Sequence, residues 1–165
     1  MLALRRTLPT VSRRVSRCMS SAAEASDGSM TLNFNLPHET IYSEAKVSQV
    51  IVPGAAGEYG ITADHVPIVA QLKPGVLQIM HEGAEAEKYF VAGGFSLTHE
   101  NSVTDISCPE AVKLDDIDSA AVTSNYEAAK SAFSSAEAGS VAAAEAQIDI
   151  EVNRAMGAAI GLSLN

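Results

Sequence analysis

The sequence predicts mainly β structure plus α: a β-sandwich, or flattened barrel, followed by an antiparallel two-helix hairpin. Three observations predict it. From Met30, apolar residues recur at every second position in short runs, the period of a half-buried strand. The stretch Pro53 to Leu77 holds four of the eleven glycines and three of the six prolines, so the backbone turns sharply between apolar runs. Beyond Asp118 there is no proline and the apolar step lengthens to three and four, which is one face of a helix.

The first segment lies outside this pattern. Residues 1–19 read MLALRRTLPTVSRRVSRCM, with five arginines and no acid. That is the composition of a mitochondrial transit peptide, with processing expected near Arg17-Cys18-Met19-Ser20. Residues 20–29, small and polar, form a flexible leader. The sandwich domain is assigned to 30–114 and the helical hairpin to 115–165.

Within the sandwich, Leu32, Phe34 and Leu36 alternate with polar residues, and Pro37 ends the strand. Ile41-Tyr42 gives a short second strand. Lys46 to Val52 gives a third, with Val50 and Val52 on one face and Val47 marking a twist or bulge. Pro53-Gly54 and Pro74-Gly75 are turn pairs, and Gly57 and Gly60 flank Tyr59 in a loop. Ile68–Leu72 and Val76–Met80 read as strands. After an acidic tip, Glu82 to Glu87, come Lys88–Ala92, Phe95–Thr98, Ser102–Cys108 and Ala111–Leu114. Many short strands at near-regular spacing favour a sandwich or barrel over a parallel α/β sheet.

The hairpin opens on Asp115-Asp116-Ile117-Asp118, carboxylates suited to a helix N-terminus. Val122, Tyr126, Ala129, Phe133 and Ala136 form one stripe. Ala138-Gly139-Ser140 breaks the helix, and Val141, Ala144, Ile148, Val152, Ala155 and Ala159 continue on a second. Alanine makes up 14 of the 49 residues from Ile117 onward, so the seam buries little area and holds the hairpin only marginally. Gly157 and Gly161 are expected to weaken the second helix by about 1 kcal/mol each.

Charge and motifs narrow the function. The formal net charge is −9; after Met19, six basic residues stand against all twenty acids. An acidic body argues against nucleic acid, and against adsorption to an anionic membrane. No apolar run approaches 18 residues, and two distant cysteines, Cys18 and Cys108, do not make a disulfide framework. Cys108 reads as a small buried apolar residue. His38, His65, His81 and His99 lack metal-site spacing, and no nucleophile elbow, P-loop or Cys-x-x-Cys is present. Glu82, Glu85 and Glu87 lack the order of a calcium loop and read as a solvated tip. The expectation is a chain that is not catalytic alone, without metal or cofactor.

The order Gly54, Gly57, Gly60, Ile61, His65, Pro67, Leu72, Lys73, Pro74, Gly75 and Val76, with Gly93-Gly94-Phe95 further on, resembles the delta/epsilon subunit family of the F-type ATP synthase. The similarity runs from roughly Thr31 to the C-terminus. It implies a non-catalytic central-stalk part of a proton-transporting rotary ATP synthase. Its implied partners are the gamma subunit, the c-ring and the small mitochondrial epsilon subunit. Its implied place is peripheral, on the matrix side of the mitochondrial inner membrane. It also implies that the Glu58 to His65 segment faces the ring, with Glu58, Tyr59, Asp64 and His65 as contact residues. ATP-binding bacterial relatives carry a pattern similar to Ile150, Glu151, Arg154 and Ala155, but with Asp where Glu151 stands. Arg154 and Lys130 are the basic residues of the hairpin, so no significant ATP affinity is expected, and Arg154 is expected to pair with Glu151 or Asp149. The competing reading is a soluble matrix β-sandwich that binds a small ligand.

Overall fold

The computed structural model describes residues 28–164; the transit-peptide and leader assignments over 1–27 lie outside them. Ten strands precede two helices: β1 (Met30–Asn35), β2 (Thr40–Val47), β3 (Gln49–Gly54), β4 (Gly57–Thr62), β5 (Ile68–Leu72), β6 (Gly75–Met80), β7 (Glu87–Val91), β8 (Gly94–Thr98), β9 (Val103–Ser107), β10 (Ala111–Lys113), α1 (Ser119–Ser135) and α2 (Val141–Ala159). One sheet path runs β10-β7-β6-β3-β5-β8-β9-β1-β2, with β4 paired to β3. It curls into two layers. The fold is therefore the expected sandwich with a helical hairpin.

The layers join where β3 meets β5 through Gly54 and Leu72. Two further bonds extend that join, Lys73 N–H to the Pro53 carbonyl and Ala55 N–H to the Gln71 carbonyl. Pro53 and Gly54 lie at this crossing because it needs a bend. The core between the layers holds Leu32, Phe34, Val50, Val52, Ile61, Leu77, Ile79, Val91 and Ile106, each buried. Fully burying an aliphatic or phenyl side chain of this size contributes about 1.5–3 kcal/mol. Phe34 meets Tyr89 edge to face at 5.7 Å, and Tyr42 meets Tyr89 at 6.5 Å. These rings bring β2 against β7 at the side opposite the crossing. Cys108 is buried in the core cluster, and burial pushes its thiol up to about 11.

Two strand assignments and the place of the irregularity change. The third strand does not begin at Lys46: the chain breaks at Ser48, so Val47 is the buried last residue of an eight-residue β2. The irregularity lies instead between β1 and β2, near Phe34, and Glu44 sits at φ 50°. Gly57–Thr62 is a strand and not a loop, in full register with β3 from Gln49↔Thr62 to Gly54↔Gly57. Its two glycines hide the alternation. Gly60 is small because the Gln49 amide lies over it, 2.6 Å from where a Cβ would stand.

In the hairpin, Asp118 caps α1 by accepting from Ala120 N–H at 2.8 Å, and Ser140 caps α2 through Ala143 N–H. Val122, Tyr126 and Ala129 are buried as expected, but Phe133 is 45% exposed. On α2 the first half of the expected stripe turns outward: Val141 is 75% and Ile148 60% exposed, whereas Val152, Ala155 and Ala159 are half-buried and Ala146 and Gly157 are buried. The buried residues of α2 are thus small, whereas α1 contributes Val122 and the bulky Tyr126 beside Ala129. The glycines also differ from expectation. Gly161, at φ +80°, follows the helix, and its N–H and that of Leu162 bond back to Ala158 and Gly157. This is a left-handed C-cap, which glycine favours. Gly157 leaves room for Leu164, whose side chain lies 2.7 Å from where a Cβ would be.

Candidate docking surface

The four residues read as contacts do not share one face. Along β4 the side chains alternate: Ile61 is buried, Tyr59 half-buried and Glu58 exposed. Glu58 therefore points away from the core and Tyr59 toward it. Asp64, exposed, and His65, half-buried, follow in the tight turn after β4, with Asp64 at φ 58°. The Tyr59 and His65 rings stand 6.3 Å apart. Tyr59 packs on the core cluster and covers Gly54, whose Cβ position is 3.1 Å from the ring.

The Tyr59 hydroxyl is buried without a hydrogen-bond partner. A buried orphan hydroxyl costs about 1–3 kcal/mol. Tyr59→Phe is therefore expected to raise stability by about 1 kcal/mol, while Tyr59→Ala, which also removes the ring from the core edge, lowers it by about 2 kcal/mol. Urea unfolding of the three proteins checks this.

A second feature adjoins this turn. Val66 is 69% exposed, Val69 71%, Phe95 60% and Leu97 37%. Val69 stands directly opposite Leu97, and Phe95 opposite Gln71 two pairs along, on the same face. Val69, Phe95 and Leu97 thus form one apolar patch on the outer face of β5 and β8, and exposed Val66 stands in the connection just before β5. Its neighbours outward are polar: Leu97 is opposite Asp105, and Asp105 opposite Asn33. An apolar centre with a polar rim is the anatomy of a protein interface.

Sequence reading missed this patch because alternation does not say which phase faces inward. In β8 the polar phase does: Ser96 and Thr98 are buried, and Thr104, opposite Thr98 on β9, donates to its hydroxyl. A one-residue change of register would exchange the two faces. The available signal was the apolar Phe95-x-Leu97 pair directly after Gly93-Gly94.

Two polar clusters complete the surface. His99 Nε2 lies 2.8 Å from Asp105 Oδ2, and Asn33 Nδ2 donates to Asp105 Oδ1 at 2.6 Å. The acidic tip divides. Glu82 and Glu85 stay exposed, but Glu87 belongs to β7 and accepts from Tyr89 Oη at 3.1 Å. Lys113 Nζ lies at 3.9 Å. His81 Nε2 stands within ion-pair reach at 3.3 Å, too poorly aligned for a hydrogen bond. Burial alone would raise the Glu87 carboxyl, but the Tyr42 and Tyr89 hydroxyls, then Lys113 and His81, hold it below the usual range. Burial, followed by the bond to Glu87, raises Tyr42. Asp105 is lowered against its own burial by Asn33 and His99.

A carboxyl lowered in the folded state contributes stability above its unfolded pKa, and that stability is lost as pH falls through the folded value. The urea midpoint is thus expected to fall as pH drops below about 4.5 and 3.8, the ordinary values for the two groups. Glu87→Gln should remove part of that slope. Among the described residues no group of three or more His, Cys, Asp or Glu side chains could hold a metal ion.

On the hairpin, Ile150 and Arg154 line a shallow groove with Tyr126, Lys130, Phe133 and Ser134. Arg154 does not take the expected acidic partner as its hydrogen-bond acceptor. It donates to Tyr126 Oη at 3.3 Å, while Glu151 accepts from Gln147 and the Asp149 carbonyl from Asn153. Glu151 is exposed, and Ala155 half-buried. Lys130 Nζ and the Arg154 guanidinium stand 5.3 and 6.0 Å from the Tyr126 ring centre. Both cations of the hairpin are thereby drawn to one tyrosine, a cation–π arrangement. Calorimetry of the chain with ATP is expected to show no binding in the micromolar range.

The sequence model for the ATP synthase delta/epsilon chain β-sandwich domain matches residues 29–113. The mitochondrial ATP synthase subunit delta of Kluyveromyces lactis is 44% identical over 138 residues, covering 84% of this chain and 85% of that protein. The chain belongs to the ATP synthase delta/epsilon family. The Saccharomyces cerevisiae mitochondrial delta subunit is 40% identical over 136 residues, with 82% of each chain covered. A chain from the solved Euglena gracilis mitochondrial ATP synthase, in an assembly that includes the c-ring, superposes with a TM-score of 0.77. Its identity is 27%, and 86% of this chain and 87% of that one are covered. The delta/epsilon sandwich thus ends with β10, and the apolar patch lies wholly within it.

Proposed function

We propose that this chain is a rotor part of the central stalk of a mitochondrial proton-transporting ATP synthase. It makes and breaks no bonds itself. It holds the gamma shaft to the c-ring, so that proton-driven rotation of the ring reaches the catalytic head. The observation that carries this reading is the patch Val69, Phe95 and Leu97, a rigid apolar face left uncovered on a sheet, with exposed Val66 just before it in the chain. Such a surface is built to be buried against another protein, and a rigid sheet transmits load. The patch serves the gamma subunit, and the adjoining turn with Asp64 and His65, together with outward-facing Glu58, meets the c-ring. The small mitochondrial epsilon subunit sits beside the hairpin, whose exposed Val141 and Ile148 offer apolar contact.

No helix among the described residues is long and apolar enough to cross a membrane. The chain is held peripherally, at the matrix side of the inner membrane, through its partners. Residues 1–19 direct it there and are removed. Native electrophoresis of mitochondrial membranes tests the reading: the chain is expected in the band with ATPase activity, beginning near Ser20. Migration as a free protein in the matrix fraction would overturn it.

A further inference from the structure

The turn between β4 and β5 is held by a residue far along the chain. Asp64 N–H donates to Ser102 Oγ at 2.9 Å, and Ser102 Oγ donates back to Asp64 Oδ1 at 3.3 Å. Both residues have φ 58°, a left-handed conformation uncommon outside glycine. Two strained residues, 38 positions apart, are thus locked face to face. Ser102 is anchored in its turn. Its carbonyl accepts from Thr31 N–H at 2.9 Å, and its turn is closed by His99 N–H to the Val103 carbonyl at 2.8 Å. β4 pairs only with β3, in one layer of the sandwich, whereas Ser102 joins β8 to β9 in the other.

We infer that Ser102 is the positioning residue of the docking turn. Its hydroxyl ties the Ala63–Pro67 connection across the layers, and so sets where His65 and Val66 stand relative to the patch on β5 and β8. Val66 belongs to this connection and Val69 follows it in β5, so the clamp sits at the join between the ring-facing turn and the apolar face. A turn ordered before docking loses less freedom on binding than one that must be ordered by the partner. This inference rests on the docking reading above.

Ser102→Gly tests it, because glycine accepts φ 58° without strain while the hydroxymethyl group and its two bonds are lost. Hydrogen exchange in the full chain is expected to show the Asp64 amide exchanging about tenfold faster or more, with β3 and β8 amides unchanged and the melting temperature within a few degrees. In membranes carrying the assembled enzyme, proton pumping per ATP hydrolysed should fall, while a chain with Ser102 intact pumps fully. An Asp64 amide that exchanges as before would overturn the clamp. Faster exchange with full coupling, in an enzyme whose assembly Phe95→Asp abolishes, would overturn the positioning role and leave the docking surface standing. If neither Ser102→Gly nor Phe95→Asp altered assembly or coupling, the docking reading itself would fail, and the inference with it.

Discussion

Gly94→Ala is expected to unfold the sandwich, or to cost it about 4 kcal/mol or more. Two costs add. Gly94 has φ +139°, a conformation that side chains rarely adopt. A Cβ there would also run into the Ser107 carbonyl oxygen and stand 3.0 Å from the Cys108 sulfur. Neither neighbour can yield. Ser107 ends β9, paired in register with β8 through Phe95↔Ser107, and Cys108 is buried. Relief would need β8 and β9 to part in the middle of one layer. Gly139→Ala is the control. It too has positive φ, +80°, but nothing lies within 4 Å of its added Cβ, so the loss should stay near 1 kcal/mol. Chemical denaturation of both variants checks the contrast; equal losses would mean that the crowding at Gly94 relaxes freely.

Phe95→Asp should separate folding from assembly. The side chain is 60% exposed on the outer face of β8, so the isolated chain is expected to melt within about 0.5 kcal/mol of the parent. In the complex the same position is to be desolvated at the centre of the patch. A carboxylate buried there without a partner, added to the loss of an aromatic anchor, should weaken association by about 2–4 kcal/mol, some 30- to 1000-fold. Val69→Asp, opposite Leu97 on the same face, should behave alike, and the two changes together should be less than additive because the residues are diagonal neighbours. Lys88→Asp provides the control at an exposed site on β7, outside the patch, with no expected effect on assembly. Reconstitution with purified gamma subunit, followed by sedimentation, measures this. Normal assembly of Phe95→Asp would move the gamma contact elsewhere.

Much of this protein is legible in its residues because the signals are local. The period of two in Met30, Leu32 and Phe34 places those side chains inside without reference to any other strand. Asp118 and Ser140 announce helix starts through their own side chains. Gly54, Gly57, Gly60, His65 and Pro74-Gly75 identify the family from one continuous stretch. The docking surface was not legible in the same way. Two glycines interrupt the alternation around Glu58 and Tyr59, so those residues by themselves suggest a loop, and only pairing with β3 makes the segment a strand. Which phase of β8 faces solvent depends on which face of the sheet the other layer covers, and that leaves Ser96 and Thr98 inside. Which face of α2 turns inward depends on how closely the helices can pack. The Asp64–Ser102 clamp joins residues 38 apart. Period, caps and turns are properties of neighbouring residues, so the chain determines them alone; facing, register and long-range bonds depend on which surfaces meet, and tertiary packing decided those.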